Sequence, residues 1–394
     1  MTTHYQINGW DTDSLFVRKD KFTQGNLYGC GYGALGQLMN NATTTPQPVS
    51  SYQDVTHGSN WIQMAIAGVN LAGAHCSAGI KSDGTLWVCG RNTNGMLGDG
   101  TVTNKNSPVQ TIAGGTNWKQ VATNAISMAG IKTDGTLWTW GDGVAIGDNT
   151  IVAKSSPVQT IAGGTNWKQV SMGSSGGNSY VFAVKTDGTL WGWGSNTGGQ
   201  LGDNTLTNRS SPVQTVAGGT DWKQVSAGSG GGAAIKTDGS LWLWGSNASG
   251  TLGDGTVANK SSPVQTVAGG TNWKQVSMAS GTSSANCAAI KTDGTLWTWG
   301  SNTYGQLGDG TVAAKSSPVQ TIAGGTNWKQ VSCGNTHIVA IKTDGTIWSW
   351  GRNNYNQLMD ATTTNRSSPV QVMGTSNWKQ VACGYTETLA ISAI

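Results

Sequence analysis

The heptapeptide KTDGTLW, or a close variant, begins at Lys81, Lys132, Lys185, Lys236, Lys291 and Lys342, with successive spacings of 51, 53, 51, 55 and 51 residues. A period this regular overrides the two or three domains that 394 residues would otherwise suggest. Each repeat must bury its apolar face against its neighbours, so all share one continuous structure. A second anchor, Asn-Trp or Asp-Trp, recurs at Trp61, Trp118, Trp167, Trp222, Trp273, Trp328 and Trp378. A degenerate seventh copy of the first anchor is LYGCG at Leu27 to Gly31, which parallels LWVCG at Leu86 to Gly90. The count is seven of each.

Each repeat reads as four short strands. In the copy that contains Trp328 they are WKQVSCG, HIVAIKT, TIWSWG and SPVQTI. Val, Ile, Thr and Trp suit a pleated, half-buried surface. Asp344-Gly345 between the second and third runs is a hairpin signal, because the tightest turns require positive φ. The proline of SPVQ (Pro108, Pro157, Pro212, Pro263, Pro318, Pro369) lies at a strand start and lacks a ladder donor. It predicts an outermost strand. Trp138 and Trp140, two residues apart, point to one face, as do Trp191/Trp193, Trp242/Trp244, Trp297/Trp299 and Trp348/Trp350. Each indole buries on the order of 150–250 Å², roughly 4–6 kcal/mol gross. Water cannot be the partner of such a face; the next repeat must be.

Four-stranded units stacked face to face around an axis leave only short, protected edges. The predicted fold class is therefore all-β, a closed seven-bladed β-propeller of four-stranded blades. The C-terminal run WKQVACGYTETLAISAI holds only the first two strands of a repeat, and the N-terminal region supplies the third and fourth as LYGCG and QPVS. The closing blade is thus shared by both chain ends, with 1–26 an N-terminal extension and 27–394 the propeller. SLFVRKD (Ser14 to Asp20) also resembles a second strand, but the C-terminal candidate keeps the repeat spacing.

AIKTDGTLWTWGSNTYGQLGDGT (Ala289 to Thr311) resembles the repeat of the regulator-of-chromosome-condensation family, with its apolar strand, Asp-Gly, Trp-Gly and Gly-Gln-Leu-Gly. The resemblance runs from Leu27 onward and implies a seven-bladed propeller closed by both ends. The near-identical arrays look like those of bacterial and bacteriophage members. The family's Gly-x-x-His element survives only at Gly334 to His337; His75 is one residue out of register, and Ser127, Tyr180, Gly231 and Asn286 stand elsewhere in its place. The resemblance brings in a nucleotide-exchange factor for a nuclear small GTPase and an inhibitor of a secreted enzyme as relatives. No long insertion of the kind that could act as an exchange wedge is present.

Composition narrows function mainly by exclusion. Charged residues are 11% of the chain against about 25% in typical soluble domains, and 59 glycines and 19 tryptophans mark turns and packed strands rather than disorder. The net charge of +4 is spread over fixed repeat positions such as Lys119, Lys132 and Lys154, without the basic patch of a nucleic-acid reader. No run approaches the ~20 apolar residues of a membrane span, and the first residues lack a secretory signal. The six cysteines form no CxxC pair and read as buried thiols, several standing where other repeats place Trp, Met or Ala. GSSGG at Gly173 to Gly177 matches a nucleophile elbow formally, but no helix follows. The Gly-Asp-Gly triplets at Asp99, Asp254 and Asp309 each offer one carboxylate, too few for calcium. No catalytic residue, metal or cofactor is expected.

The strands are nearly copied, whereas the loop between first and second strands differs in every repeat. Variable loops on a fixed scaffold suit recognition. This loop set nominates Asn124, Asn178, Tyr180, His337, Tyr385 and Thr386 as binding residues, with Tyr32, Tyr304 and Tyr355 expected on the opposite rim. The sequence reading is a non-enzymatic structural or recognition component, expected on a bacteriophage particle. Its partners would be other protein subunits of an assembly, or a host surface protein or glycan. The alternatives are a cytoplasmic protein-binding regulator of the nucleotide-exchange type and an inhibitor of a secreted enzyme.

Overall fold

The computed structural model describes residues 27–31, 38, 49–54, 60–68, 75–175, 177–279, 285–372 and 377–392. Among them, 28 strands form seven four-stranded sheets. Six sheets are continuous in sequence. The seventh has the order Val49–Asp54, Leu27–Gly31, Glu387–Ser392, Trp378–Cys383. Its joint is antiparallel and in register, with Leu27 opposite Ile391 and Gly31 opposite Glu387. The closing blade predicted from the two chain ends is thereby established. The extension 1–26, including Ser14 to Asp20, lies outside the described residues.

One blade explains the rest. Its strands are Trp328–Cys333, His337–Lys342, Ile347–Gly351 and Arg366–Gln371, each pairing antiparallel with the next. The Asp-Gly turn works as its sequence requires: Gly345 has φ +78°. Asp344 Oδ1 accepts hydrogen bonds from the Thr346 amide (2.9 Å) and hydroxyl (2.7 Å). The same Thr346 oxygen accepts from Trp348 Nε1 at 3.0 Å, so the turn also orients an indole.

On the indole face, Trp328 meets Trp348 and Trp350 edge-on at 6.0 and 6.2 Å between ring centroids. Trp350 is fully buried and donates from Nε1 to the Gln306 carbonyl of the preceding blade at 2.9 Å. The cluster around it draws Ala288, Ile290 and Leu296 from that preceding blade, as inter-blade packing predicts. Trp348 is only half-buried, contrary to the expected full burial of both indoles of the pair. It is covered instead by Lys342, whose ammonium lies 4.7 Å from the Trp328 centroid and 4.2 Å from that of Trp348. A cation over an indole face is favourable when partly desolvated. The repeat's lysine therefore caps the stack that a second burial would have closed.

The fourth strand is the outer edge, as its proline predicts, but Pro369 is the fourth of six residues rather than the first. It falls where the ladder register shifts, between Gly351–Arg366 and Ser349–Val370, so no ladder donor is missed. In the closing blade the corresponding strand begins at Val49, after Pro48; QPVS is not the counterpart of SPVQ, because Asp54 rather than Ser50 pairs with Tyr28. The first strands of successive blades adjoin one another around the whole ring, including the closing blade against Trp61–Gly68, and so line its axis.

Candidate recognition face

In a four-stranded antiparallel blade the first and third strands run the same way. The loops that follow them must leave at the same end, and the hydrogen bonds show that they do. The Arg352 amide after the third strand donates to Thr336 O before the second at 2.8 Å, and Ser195 N to Ser179 O likewise at 2.8 Å. Thr251 reaches the adjacent blade's Ala285 carbonyl at 3.1 Å. Tyr304 and Tyr355 therefore share a face with the variable loops, and their expected place on the opposite rim is corrected. The error lay in counting loops without strand direction. Tyr32 lies outside the described residues.

Most of the nominated variable-loop residues turn inward. Only Asn178 is exposed. Tyr180 is fully buried; its hydroxyl donates to Gly228 O of the next blade and accepts from the amides of Gly230 (3.0 Å) and Gly231 (2.8 Å). Burial raises its phenol pKa. Asn124 sends Nδ2 to Gly173 O of the next blade at 3.0 Å and receives the Ser127 amide at 2.8 Å. His337, fully buried, meets Thr388 Oγ1 of the closing blade at 3.1 Å, and burial lowers its pKa to about 4. Tyr385 and Thr386 are buried as well. A surface role for these five is corrected: Asn124, Tyr180, His337 and Tyr385 make contacts between blades, and Thr386 hydrogen-bonds its neighbour Glu387, because a buried polar group must find a partner.

The closing seam carries the strongest of these stitches. His75 Nδ1 lies 2.8 Å from Glu387 Oε1, with Glu387 fully buried. Burial alone would lower the His75 pKa, but the attraction and hydrogen bond of the carboxylate outweigh it and the net shift is upward. Burial would raise Glu387, yet the His75 charge and hydrogen bonds from His75 and Thr386 hold it below the ordinary carboxylate range. Tyr385 packs edge-on to His75 at 6.4 Å.

What remains on the surface of the two blades before the closing blade is a short arc of cationic and aromatic groups. The Arg352 guanidinium lies over Tyr304, 4.8 Å from its centroid. Tyr304 and Tyr355 are half-buried, and their loops are held by Gln306 and Gln357, each accepting the tyrosine amide at 2.9 Å. Behind Tyr355, Asn353 donates to Asp360 (2.8 Å) and accepts from Leu358 N (3.0 Å), while Arg366 pairs with Asp360 at 2.9 Å. The aspartates of the Gly-Asp-Gly triplets are used in the same way: Asp99 receives Asn92 at 3.0 Å and Lys105 at 3.3 Å. These carboxylates are engaged by the loop's own donors. Arg91, at the register of Arg352, lies on the other side of the closing blade.

Sequence reasoning missed Arg352, Arg91 and Glu387. The signal was present: Arg91 and Arg352 stand where Ser195, Ser246 and Ser301 occupy three of the other repeats. It also missed a glutamine. Gln63, Gln120, Gln169, Gln224, Gln275 and Gln330 each clamp the next blade's first strand, donating to a valine carbonyl and accepting its amide, as Gln120 does with Val170 at 2.9 and 2.9 Å. A polar residue kept at one place in every inner strand should have marked this role. Gly173 to Ser175 end the strand Trp167–Ser175, which pairs antiparallel with the strand Asn178–Lys185 that follows, so no helix follows the motif. All six cysteines are buried and free, and burial raises the Cys76 thiol to about 12.

Comparison with known proteins gives the lineage of this arrangement. The regulator of chromosome condensation (RCC1) repeat matches residues 83–123, 187–235, 238–285, 293–341 and 344–391. The Arabidopsis thaliana ultraviolet-B receptor UVR8 is 31% identical over 312 residues, 76% of this chain and 68% of its own. The human E3 ubiquitin-protein ligase HERC2 is 29% identical over 81% of this chain, which spans only 6% of that protein. Among solved structures, Prp20p of Saccharomyces cerevisiae superposes with a TM-score of 0.79 at 16% identity, covering 95% of this chain and 92% of its own. Human WBSCR16 does so at 0.74 and 17%, covering 93% and 98%. The chain belongs to the RCC1 repeat family.

Proposed function

We propose that this chain is a non-catalytic protein-binding propeller whose partner docks on the loop face of the two blades that precede the closing blade. The observation that carries the reading is the Arg352–Tyr304 pair with Tyr355 close by in sequence: half-buried aromatic and arginine side chains on braced loops. Such groups dominate binding energy at protein interfaces, because a tyrosine ring and a guanidinium each combine a large contact area with hydrogen-bonding capacity. Family membership supports the same reading. Prp20p, similar in fold, has been studied for its binding to Gsp1p and histones and has been crystallised with Kap60. The relatives named are human, plant and yeast proteins. They lend weight to a protein-binding regulator over a bacteriophage particle component, which rests on composition and repeat regularity alone.

The test presents the immobilised full chain to a panel of small GTPases and histones, with a parallel nucleotide-exchange assay. Retention of at least one protein is expected, and its loss in Tyr304→Ala/Arg352→Ala. Retention of none, together with recovery of the chain in purified virus particles, would replace this reading with the particle one.

A further inference from the structure

One junction between blades presents an arginine whose hydrogen-bond donors are uncommitted. The loops that follow Leu296–Gly300 and Ile347–Gly351 meet there, with Tyr304 of the first beneath the Arg352 guanidinium of the second. At the same register other junctions place Asn94 with Asp142, Gly198 with Ser246, and Ser249 with Ser301. Among these an aromatic residue meets a cation once.

The pair is held from within the ring. Trp350, two residues before Arg352, donates to the carbonyl of Gln306, two residues after Tyr304, at 2.9 Å. Gln306 is fully buried and its side chain accepts the Tyr304 amide, so one residue ties both loops together. The Arg352 and Asn353 amides donate to Thr336 O and Asn365 Oδ1 at 2.8 and 2.9 Å. Beyond its stacking on Tyr304, the half-buried guanidinium makes no hydrogen bond or ion pair with any described residue.

The other charges of these two loops are spent. Lys315 pairs with Asp309 at 3.8 Å and Arg366 with Asp360 at 2.9 Å. Asn302 and Asn353 occupy the same two carboxylates at 3.2 and 2.8 Å. Neighbouring Thr303 and Asn354 are exposed and neutral. What is left is one positive charge with a planar fork of N–H donors, already oriented by the ring on which it lies.

We infer that this junction receives a single Asp or Glu side chain, presented by an otherwise neutral polar segment of the protein partner. The inference rests on the docking face proposed above and adds the chemistry of what docks. A guanidinium fork matches a carboxylate through two parallel hydrogen bonds, and one charge answers one charge. A phosphorylated residue brings about two negative charges, for which these loops hold no second free cation.

Side-chain Nε–Hε NMR of the full chain at low salt tests it, with short Gly/Ser peptides blocked at both ends. The peptides differ only in a central Glu, Gln or phosphoserine. The Arg352 signal should move with the Glu peptide and stay still with the Gln peptide, while those of Arg209 and Arg366, already paired with aspartates, should not respond. Arg352→Lys keeps the charge but loses the fork, and should weaken Glu-peptide binding about tenfold. No movement of Arg352, equal movement with the Gln peptide, tighter binding of the phosphoserine peptide, or full affinity in Arg352→Lys would each overturn the assignment. If the Glu peptide fails while Tyr304→Ala still abolishes partner retention, the docking face stands and only this inference falls. If retention survives both Tyr304→Ala and Arg352→Ala, the docking face itself is wrong.

Discussion

Six junctions between blades share one glutamine clamp, and the seventh is set apart by a buried ion pair. At a copied junction, such as Gln224 on Val276, a neutral amide side chain closes two hydrogen bonds onto backbone, at 3.2 and 3.2 Å. At the closing seam a buried imidazole meets a buried carboxylate. Repetition explains the first solution, because duplicating a repeat duplicates both halves of its clamp. The seam joins strands from opposite ends of the chain, and among the described residues its His–Glu pair is found nowhere else. An unpaired buried charge is far more costly than a lost neutral hydrogen bond, so the seam's pair penalises any other closure.

The comparison is most exposed at Glu387. Glu387→Ala leaves His75 without its carboxylate and should cost about 3–5 kcal/mol in urea unfolding, with His75→Leu/Glu387→Leu recovering a large part. A loss under about 1 kcal/mol would mean that the seam's charges do not hold it. At a copied junction, Gln224→Ala orphans one amide and one carbonyl of Val276 and should cost about 2 kcal/mol, measured the same way. A cost equal to that of Glu387→Ala would erase the distinction between the two joints.

Acidity separates the two buried histidines. The His75 pKa is raised, so its stabilisation is full below the ordinary 6.5 and is lost as pH rises through the raised value. That of Glu387 is lowered, so its stabilisation is full above 4.5 and is lost as pH falls through the lowered value. The seam pair is thus at full strength between 4.5 and 6.5. His337 behaves in the opposite sense: buried neutral, it stabilises fully above 6.5 and ceases to do so as pH falls through about 4. Melting curves across pH should show a shallower decline from 6.5 to 4 in His337→Gln than in the parent. In His75→Gln the deficit relative to the parent should shrink on the alkaline side. The smallest effect belongs to the surface arc. Tyr304→Ala and Arg352→Ala should each change stability by within about 0.5 kcal/mol while abolishing partner retention; a larger loss would place the pair in the scaffold rather than at an interface.

Much of this was readable in advance. The number of blades, the four strands of each, the Asp-Gly turns and the sharing of the last blade by Leu27–Gly31 and Glu387–Ser392 all follow from repeat spacing. The binding residues were not. Tyr180, His337 and Asn124 vary between repeats, and variation in a loop suggested exposure. Variation is also what a buried joint shows when each blade solves its own contact with the next, as Tyr180 does by accepting the Gly230 and Gly231 amides of the next blade.

The sequence by itself determined the strands and the ring, because hydrophobic period, turn chemistry and repeat count are local properties that each copy states again. Only the tertiary structure decided which loops share a face and which polar residues are stitches. Those depend on strand direction and on distances between residues some fifty positions apart, which no single repeat encodes.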